Sequence, residues 1–172
     1  PESIGKDIAM HIAFAKPKFL SKSEVSPEVI AAERTIIEAR AKESGKRMVE
    51  LEGAQAQSAL MDSLSPKEGE QAFEGTVAAL ESGLTREQIT GLVNAWQSGD
   101  PNLLLEVARA YNETVPGAKA LEEKFIWSRH DAMADKIESY LLGRDQVFVA
   151  VGALHLAGPR GLVEMLKARG YV

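Results

Sequence analysis

Apolar residues recur along most of this chain at intervals of three and four, the spacing of a helix with one buried face. Lys6–Lys16 forms the first such stretch, with Ile8, Ile12 and Ala15 on one side. Pro17 ends it, because the residue before a proline is pushed out of the helical region. Ser26, Pro27 and Glu28 then make a cap, a first helical position and a favourable charge for a second helix. That helix runs to Ser44, where Gly45 closes it. The spacing predicts further helices over Ala54–Leu64 and Pro66–Ser82, the second with Phe73, Val77 and Leu80 inward and Gly83 as its stop. Thr85 with Gln88 suggests a capping box for Arg86–Gln97, which Gly99 ends. Asp100-Pro101 opens a helix carrying Leu103, Leu104, Val107 and Tyr111 as far as Asn112. After the Pro116-Gly117 break, Ala118–Leu142 is predicted as one long helix striped by Phe125, Ile126, Met133, Ile137 and Leu141.

The pattern changes at two places. Met48–Leu51 has the composition of a short strand, and Val147–Val151 that of a buried one, since branched and aromatic side chains suit a pleated surface covered on both faces. Gly152 ends the second run and His155 follows three residues on. Gly158-Pro159 is expected to open a helix with Leu162, Val163, Met165 and Leu166 on its apolar stripe, Gly170 to stop it, and Tyr171-Val172 to return as a strand. The fold expected is therefore α+β and mostly helical. It comprises a helical hairpin in residues 1–46, then a helical array in residues 47–172 with a small strand pair near the carboxyl terminus.

With 172 residues and 45% hydrophobic content, the chain can bury a core. Its net charge of −5 argues against a duplex nucleic-acid partner. The absence of cysteine excludes disulfides and thiolate metal sites. No apolar run approaches the ~18 residues of a membrane span, and the first residues lack a signal-peptide pattern, so a cytoplasmic protein is expected. The chain starts at Pro1 rather than Met, as a processed chain or a fragment would.

Candidate chemistry is sparse. A histidine just past the carboxyl end of a buried strand stands where open α/β sheets place ligands, which selects His155. Arg129 lies on the predicted long helix, where most arginines face solvent, and its forked guanidinium suits a carboxylate or an oxyanion. The other histidines are His11 and His130.

The segment GKDIAMHIAFAKPKFLSKSEVSPEVIAAERTIIEARAKESGK carries Asp7, Ala9, Met10, His11, Ile12 and Ala13, then Lys16-Pro17, then Val25, Glu28, Val29, Ile30 and Glu33. On these residues Gly5–Lys46 resembles part of the dimerisation domain of translation elongation factor Ts. The family's amino-terminal helical domain and its Thr-Asp-Phe motif, which contact the GTPase, are absent. The resemblance implies docking on a translational GTPase, or on a second copy of the chain, through residues such as Met10, His11 and Phe14.

The rest resembles a different family. VGALHLAGPRGLVEMLKARGYV places Gly152, His155, Gly158, Gly161, Gly170 and Tyr171 on the closing motif of the TraB/PrgY/GumN family. MVELEGAQAQSALMDSLSP is similar to its "E-T-x-x-x-Q-x-x-x-x-x-S-L" segment, GLVNAWQSGD to "L-x-x-A-W-x-x-G-D", and FIWSRHDAMADKI to "E-R-N-x-x-M-A-x-K-I". Arg129 keeps that family's arginine; His130 stands where it usually has Asn, and Ser128 where it often has Glu. The family is related to metal-dependent proteases of the Tiki type, whose site uses two Gly-x-x-His motifs, an acidic residue and the helix arginine. The resemblance therefore implies His155 and Arg129 as catalytic candidates and His155 as a metal ligand. This sequence holds one Gly-x-x-His.

A catalytic zinc site takes three protein ligands and an open position. His155 has no histidine partner in the sequence pattern, and Asp131, Asp145 and Glu164 sit at positions the resemblance does not mark. The chain is thus expected to be an incomplete hydrolase-related domain, inactive as given and binding divalent metal weakly, with the two resemblances joined near Lys46. The alternatives are an elongation factor Ts-like binding module and a helical scaffold with neither activity.

Overall fold

The structure is a computed structural model and describes residues 38–143 and 146–171. The chain divides into two compact units with a boundary between Leu51 and Glu52. The predicted helix over Lys6–Lys16 and the start of the second helix lie outside the described residues.

In the smaller unit, residues 38–43 are helical. Gly45 ends them at φ 62°, a conformation that costs glycine nothing. The Lys46 amide donates to the Ala41 carbonyl at 2.8 Å and the Gly45 amide to Lys42 at 3.1 Å, the paired bonds of a Schellman stop. Residues 46–50 have no regular structure, so the strand expected at Met48–Leu51 is not formed. Met48 and Val49 are exposed.

Among the described residues the larger unit holds helices α1 (Ala54–Asp62), α2 (Pro66–Glu81), α3 (Leu84–Ser98), α4 (Pro101–Thr114), α5 (Ala118–Phe125), α6 (His130–Leu141) and α7 (Leu162–Ala168). Two single 3₁₀ turns, Trp127–Arg129 and Ala153–His155, precede α6 and α7. Helix α3 lies along α4, α2 packs on α3 and α5, α4 on α5 and on the His155 turn, and α6 on α7. Local chemistry explains the starts. Ser65 and Glu68 close a reciprocal capping box on α2, with the Ser65 amide donating to Glu68 Oε2 at 2.7 Å. Asp100 Oδ1 accepts from the Asn102 amide at 2.9 Å and caps α4. Lys124 of α5 then donates to the Ser63 carbonyl at 2.9 Å and pairs with Glu68, tying the α1–α2 turn to α5.

The core is built largely of small side chains. Ala79, Ala95, Ala108, Ala118, Ala134 and Ala157 are all buried, beside Leu104, Met133, Ile137, Leu162 and Leu166. This reverses the expected facing of α2. Phe73 is 72% exposed and Leu80 60% exposed, and Val77 is exposed too, whereas Gly75 and Ala79 face inward. Apolar periodicity weights bulky residues, but this interface is chosen by close approach. A Cβ on Gly75 would lie 2.2 Å from the Pro116 carbonyl oxygen, so only glycine lets α2 touch the α4–α5 turn there.

Other expectations are corrected too. Helix α3 begins two residues early, after Gly83 at φ 84°, so Thr85 lies inside its first turn and is no cap. Thr85 Oγ1 is buried with no hydrogen-bond partner among the described residues. The single helix expected over Ala118–Leu142 is interrupted at Ile126, φ −114° and ψ −69°. No proline or glycine causes the break. In an unbroken helix the Phe125 carbonyl would accept from the Arg129 amide; here it accepts from Arg129 Nη1 at 2.6 Å, so the side chain has replaced the backbone donor.

The strand pair is absent: no strand occurs among the described residues. Residues 146–151 run without regular structure, with Phe148 67% exposed. Their composition suits a covered strand, but a strand forms only in a ladder with a second one, and no second strand occurs among the described residues. The expected helix start at Gly158-Pro159 is also displaced. Those residues form a turn, and α7 begins at Leu162. Gly170, at φ 89°, stops α7 as expected. Tyr171 does not return as a strand; it is buried, and its hydroxyl donates to Glu138 Oε1 at 2.9 Å.

Candidate functional site

The turn after residue 151 assembles the site. The His155 amide donates to the Gly152 carbonyl at 2.9 Å, closing the 3₁₀ turn that presents the imidazole. Gly158 takes φ 73° and the Gly161 amide donates to its carbonyl at 2.9 Å, so Gly158-Pro159-Arg160-Gly161 folds back on the His155 turn. A Cβ on Gly161 would lie 2.6 Å from the Leu156 carbonyl oxygen, so glycine is required at this crossing. The motif's glycines bring the Arg160 carbonyl to the first residue of α6, where it lies 2.6 Å from His130 Nδ1.

His130 Nε2 lies 2.9 Å from His155 Nδ1. The two residues are 2% and 8% exposed, which keeps water from competing for these bonds. The sequence pattern left His155 without a histidine partner; the fold supplies one across 25 residues. Trp127 meets His130 edge-on with centroids 5.2 Å apart, and the Arg160 guanidinium lies 5.2 Å above the Trp127 ring. Arg160 is held there by a two-pronged ion pair with Glu123 at 2.6 and 2.7 Å.

Arg129 contributes a second part. Its Nε donates to both Glu52 carboxylate oxygens at 2.9 and 3.0 Å, and its Nη2 also donates to Glu52. The fork that suits a carboxylate is thus filled by one from 77 residues away. Glu52 raises the Arg129 pKa by these hydrogen bonds against the opposing effect of burial. The pair is close enough to act on His155. Burial above all, then His130 and Arg129, push the His155 imidazole down to about 4, and Glu52 pulls it upward.

Sequence reasoning passed over Glu52, and it set His130 aside as a partner for His155 because Arg129 stands beside it. Glu52 opens the segment similar to "E-T-x-x-x-Q", and that position, with the acidic residue the resemblance implies, was the available signal. Of the carboxylates considered, Asp131 is exposed, Glu164 is exposed and paired with Lys167 at 2.8 Å, and Asp145 lies outside the described residues. Met10, His11 and Phe14 lie outside them as well.

The His155 environment predicts acid sensitivity. The imidazole binds its proton at about 4 in the folded chain and near 6.5 when unfolded, so between these values the unfolded state holds more protons. The contribution is fully present above pH 6.5 and is lost as pH falls to about 4, for on the order of 2–3 kcal/mol. Urea midpoints at pH 4.5 and 7.5 check this: the intact chain should be less stable at pH 4.5, and His155→Gln should lose most of that difference. An unaltered difference in the variant would refute it. Glu68, held down to about 2 chiefly by the Ser65 backbone and hydroxyl, loses its contribution as pH falls from about 4.5 to about 2, mostly below this window.

No helix among the described residues is long and apolar enough to cross a membrane. Comparison with known proteins found two likenesses. Elongation factor Ts of Chromobacterium violaceum is 54% identical over 46 residues, 27% of this chain and 16% of that protein. Those of Paraburkholderia xenovorans and Methylobacillus flagellatus are each 58% identical over 45 residues, 26% of this chain and 15% and 16% of the respective proteins. The chain thus spans about a sixth of the length of these curated relatives. No solved structure matches it. The TraB/PrgY/gumN family model matches residues 11–172, which takes in every described residue of the site. With that match the chain belongs to the TraB/PrgY/gumN family.

Proposed function

We propose that this chain supplies one half of a hydrolase-type site, with His155 as its acid–base or ligating group and the Arg129–Glu52 pair as its charged flank, and that alone it is catalytically silent. The observation that supports this is the gathering of His155, Arg129 and Glu52 from three separate segments into one electrostatic environment. Family membership supports the reaction class.

A resident divalent ion does not fit the described residues by themselves. A zinc site takes at least three protein ligands. Both nitrogens of His130 are engaged, by Arg160 and by His155, and the Glu52 carboxylate is engaged by Arg129. His155 Nε2 is then the one uncommitted ligating atom in this cluster, and no group of three ligating side chains occurs among the described residues.

Calorimetry with zinc and a peptidase assay on the purified chain test this reading. Affinity weaker than micromolar and no metal-dependent cleavage are expected. A stoichiometric submicromolar site, lost in His155→Ala, would overturn it.

The second reading rests on the 54–58% identity to elongation factor Ts over about 45 residues. In it residues 5–46 dock on a translational GTPase through Met10, His11 and Phe14. Retention of the chain on an immobilised translational GTPase at micromolar concentration checks it, and no retention sinks it.

A further inference from the structure

We propose that His130 is a positioning residue that holds the proton of His155 on Nδ1 and so keeps His155 Nε2 a bare acceptor. The inference rests on the reading of His155 as the reacting group and adds how that group is prepared.

It begins at the Arg160 carbonyl. A carbonyl oxygen can only accept, so the His130 nitrogen 2.6 Å from it, Nδ1, carries the hydrogen. In a neutral imidazole the other nitrogen is then a lone-pair acceptor. His130 Nε2 is that nitrogen, and the atom 2.9 Å from it, His155 Nδ1, must donate. The His155 hydrogen is therefore on Nδ1, and its Nε2 keeps a lone pair that no described residue engages. Which nitrogen of a histidine reacts is set by the hydrogen bond the other one makes.

The geometry that fixes the relay is itself fixed. His130 is 2% exposed, with Trp127 edge-on to its ring. Arg160 supplies the carbonyl through its backbone and covers Trp127 with its side chain, which Glu123 anchors. One residue thus holds both the proton and the aromatic wall of His130.

Long-range proton–nitrogen correlation spectra of the nitrogen-labelled full chain at pH 7.5 test the inference. The His155 signature should be that of a protonated Nδ1 and an unprotonated Nε2. In His130→Phe, which removes the acceptor and keeps the bulk, it should move to Nε2–H, the form an unconstrained imidazole prefers. In His130→Gln, whose amide oxygen can take the place of the ring Nε2, the Nδ1–H signature should return. A His155 protonated on Nε2 in the unsubstituted chain overturns the inference, as does an unchanged His155 spectrum in a folded His130→Phe. If His130→Phe fails to fold, the unsubstituted chain and His130→Gln still decide. The spectra need no metal, so failure of the relay and failure of the half-site reading are seen separately.

Discussion

Arg129→Met is expected to lower the stability of the larger unit by about 3–5 kcal/mol, because it leaves the Glu52 carboxylate charged and without its partner in a site that little water reaches. Both side chains of the pair are 15% exposed, far less than Arg160 and Glu123 at 56% and 54%. Surface pairs of the latter kind contribute about 0–1 kcal/mol, so Arg160→Met should cost little by its charge alone. Arg129 also supplies the donor that replaces the backbone at the Phe125 carbonyl, so its loss leaves a second group unmatched. The double variant Glu52→Met with Arg129→Met should recover most of the loss, since replacing both partners removes the stranded charge. Denaturant unfolding of the two single variants and the double one measures the coupling. A loss under about 1 kcal/mol for Arg129→Met would show that the pair is solvated and not part of a built site.

The same glycine-to-alanine change should have opposite signs at two places in α2. At Gly75 the new methyl would lie 2.2 Å from the Pro116 oxygen and 3.1 Å from Val115 Cγ1. The oxygen is backbone and cannot rotate away, so α2 must separate from the α4–α5 turn. A loss of about 3 kcal/mol or more is expected, at the upper end of what overpacking costs. At Gly69 nothing lies within 4 Å of the added carbon. There alanine should stabilise by about 0.5–1 kcal/mol, because it loses less backbone freedom on entering a helix. Thermal unfolding of the two variants beside the parent checks the pair, and a neutral Gly75→Ala would mean that α2 does not make this contact.

These sites show what was legible in the amino-acid order. The resemblance found in Met48–Val172 was already present in motif spacing, and it selected His155 and Arg129. Most helix ends were legible too. Gly45, Gly99 and Gly170 stop helices in the left-handed region, and Ser65-Pro66 and Asp100-Pro101 start them. Those decisions depend on steric and hydrogen-bonding limits that operate within four or five residues, so the local sequence carries them.

Tertiary structure decided the rest, in each case because the deciding atom comes from a distant segment. Glu52 reaches Arg129 across 77 residues, and the α5–α6 break accompanies a guanidinium that serves that carboxylate and the Phe125 carbonyl together. Gly75 faces inward, with Ala79 beside it, because Pro116, 41 residues on, comes too close to Gly75 for anything larger. Val147–Val151 has a strand's composition, but composition is a property of one segment and pairing a property of two. The two histidines, unremarkable 25 positions apart in sequence, share a hydrogen bond only because a glycine turn carries the Arg160 carbonyl to one of them and α6 begins beside the other.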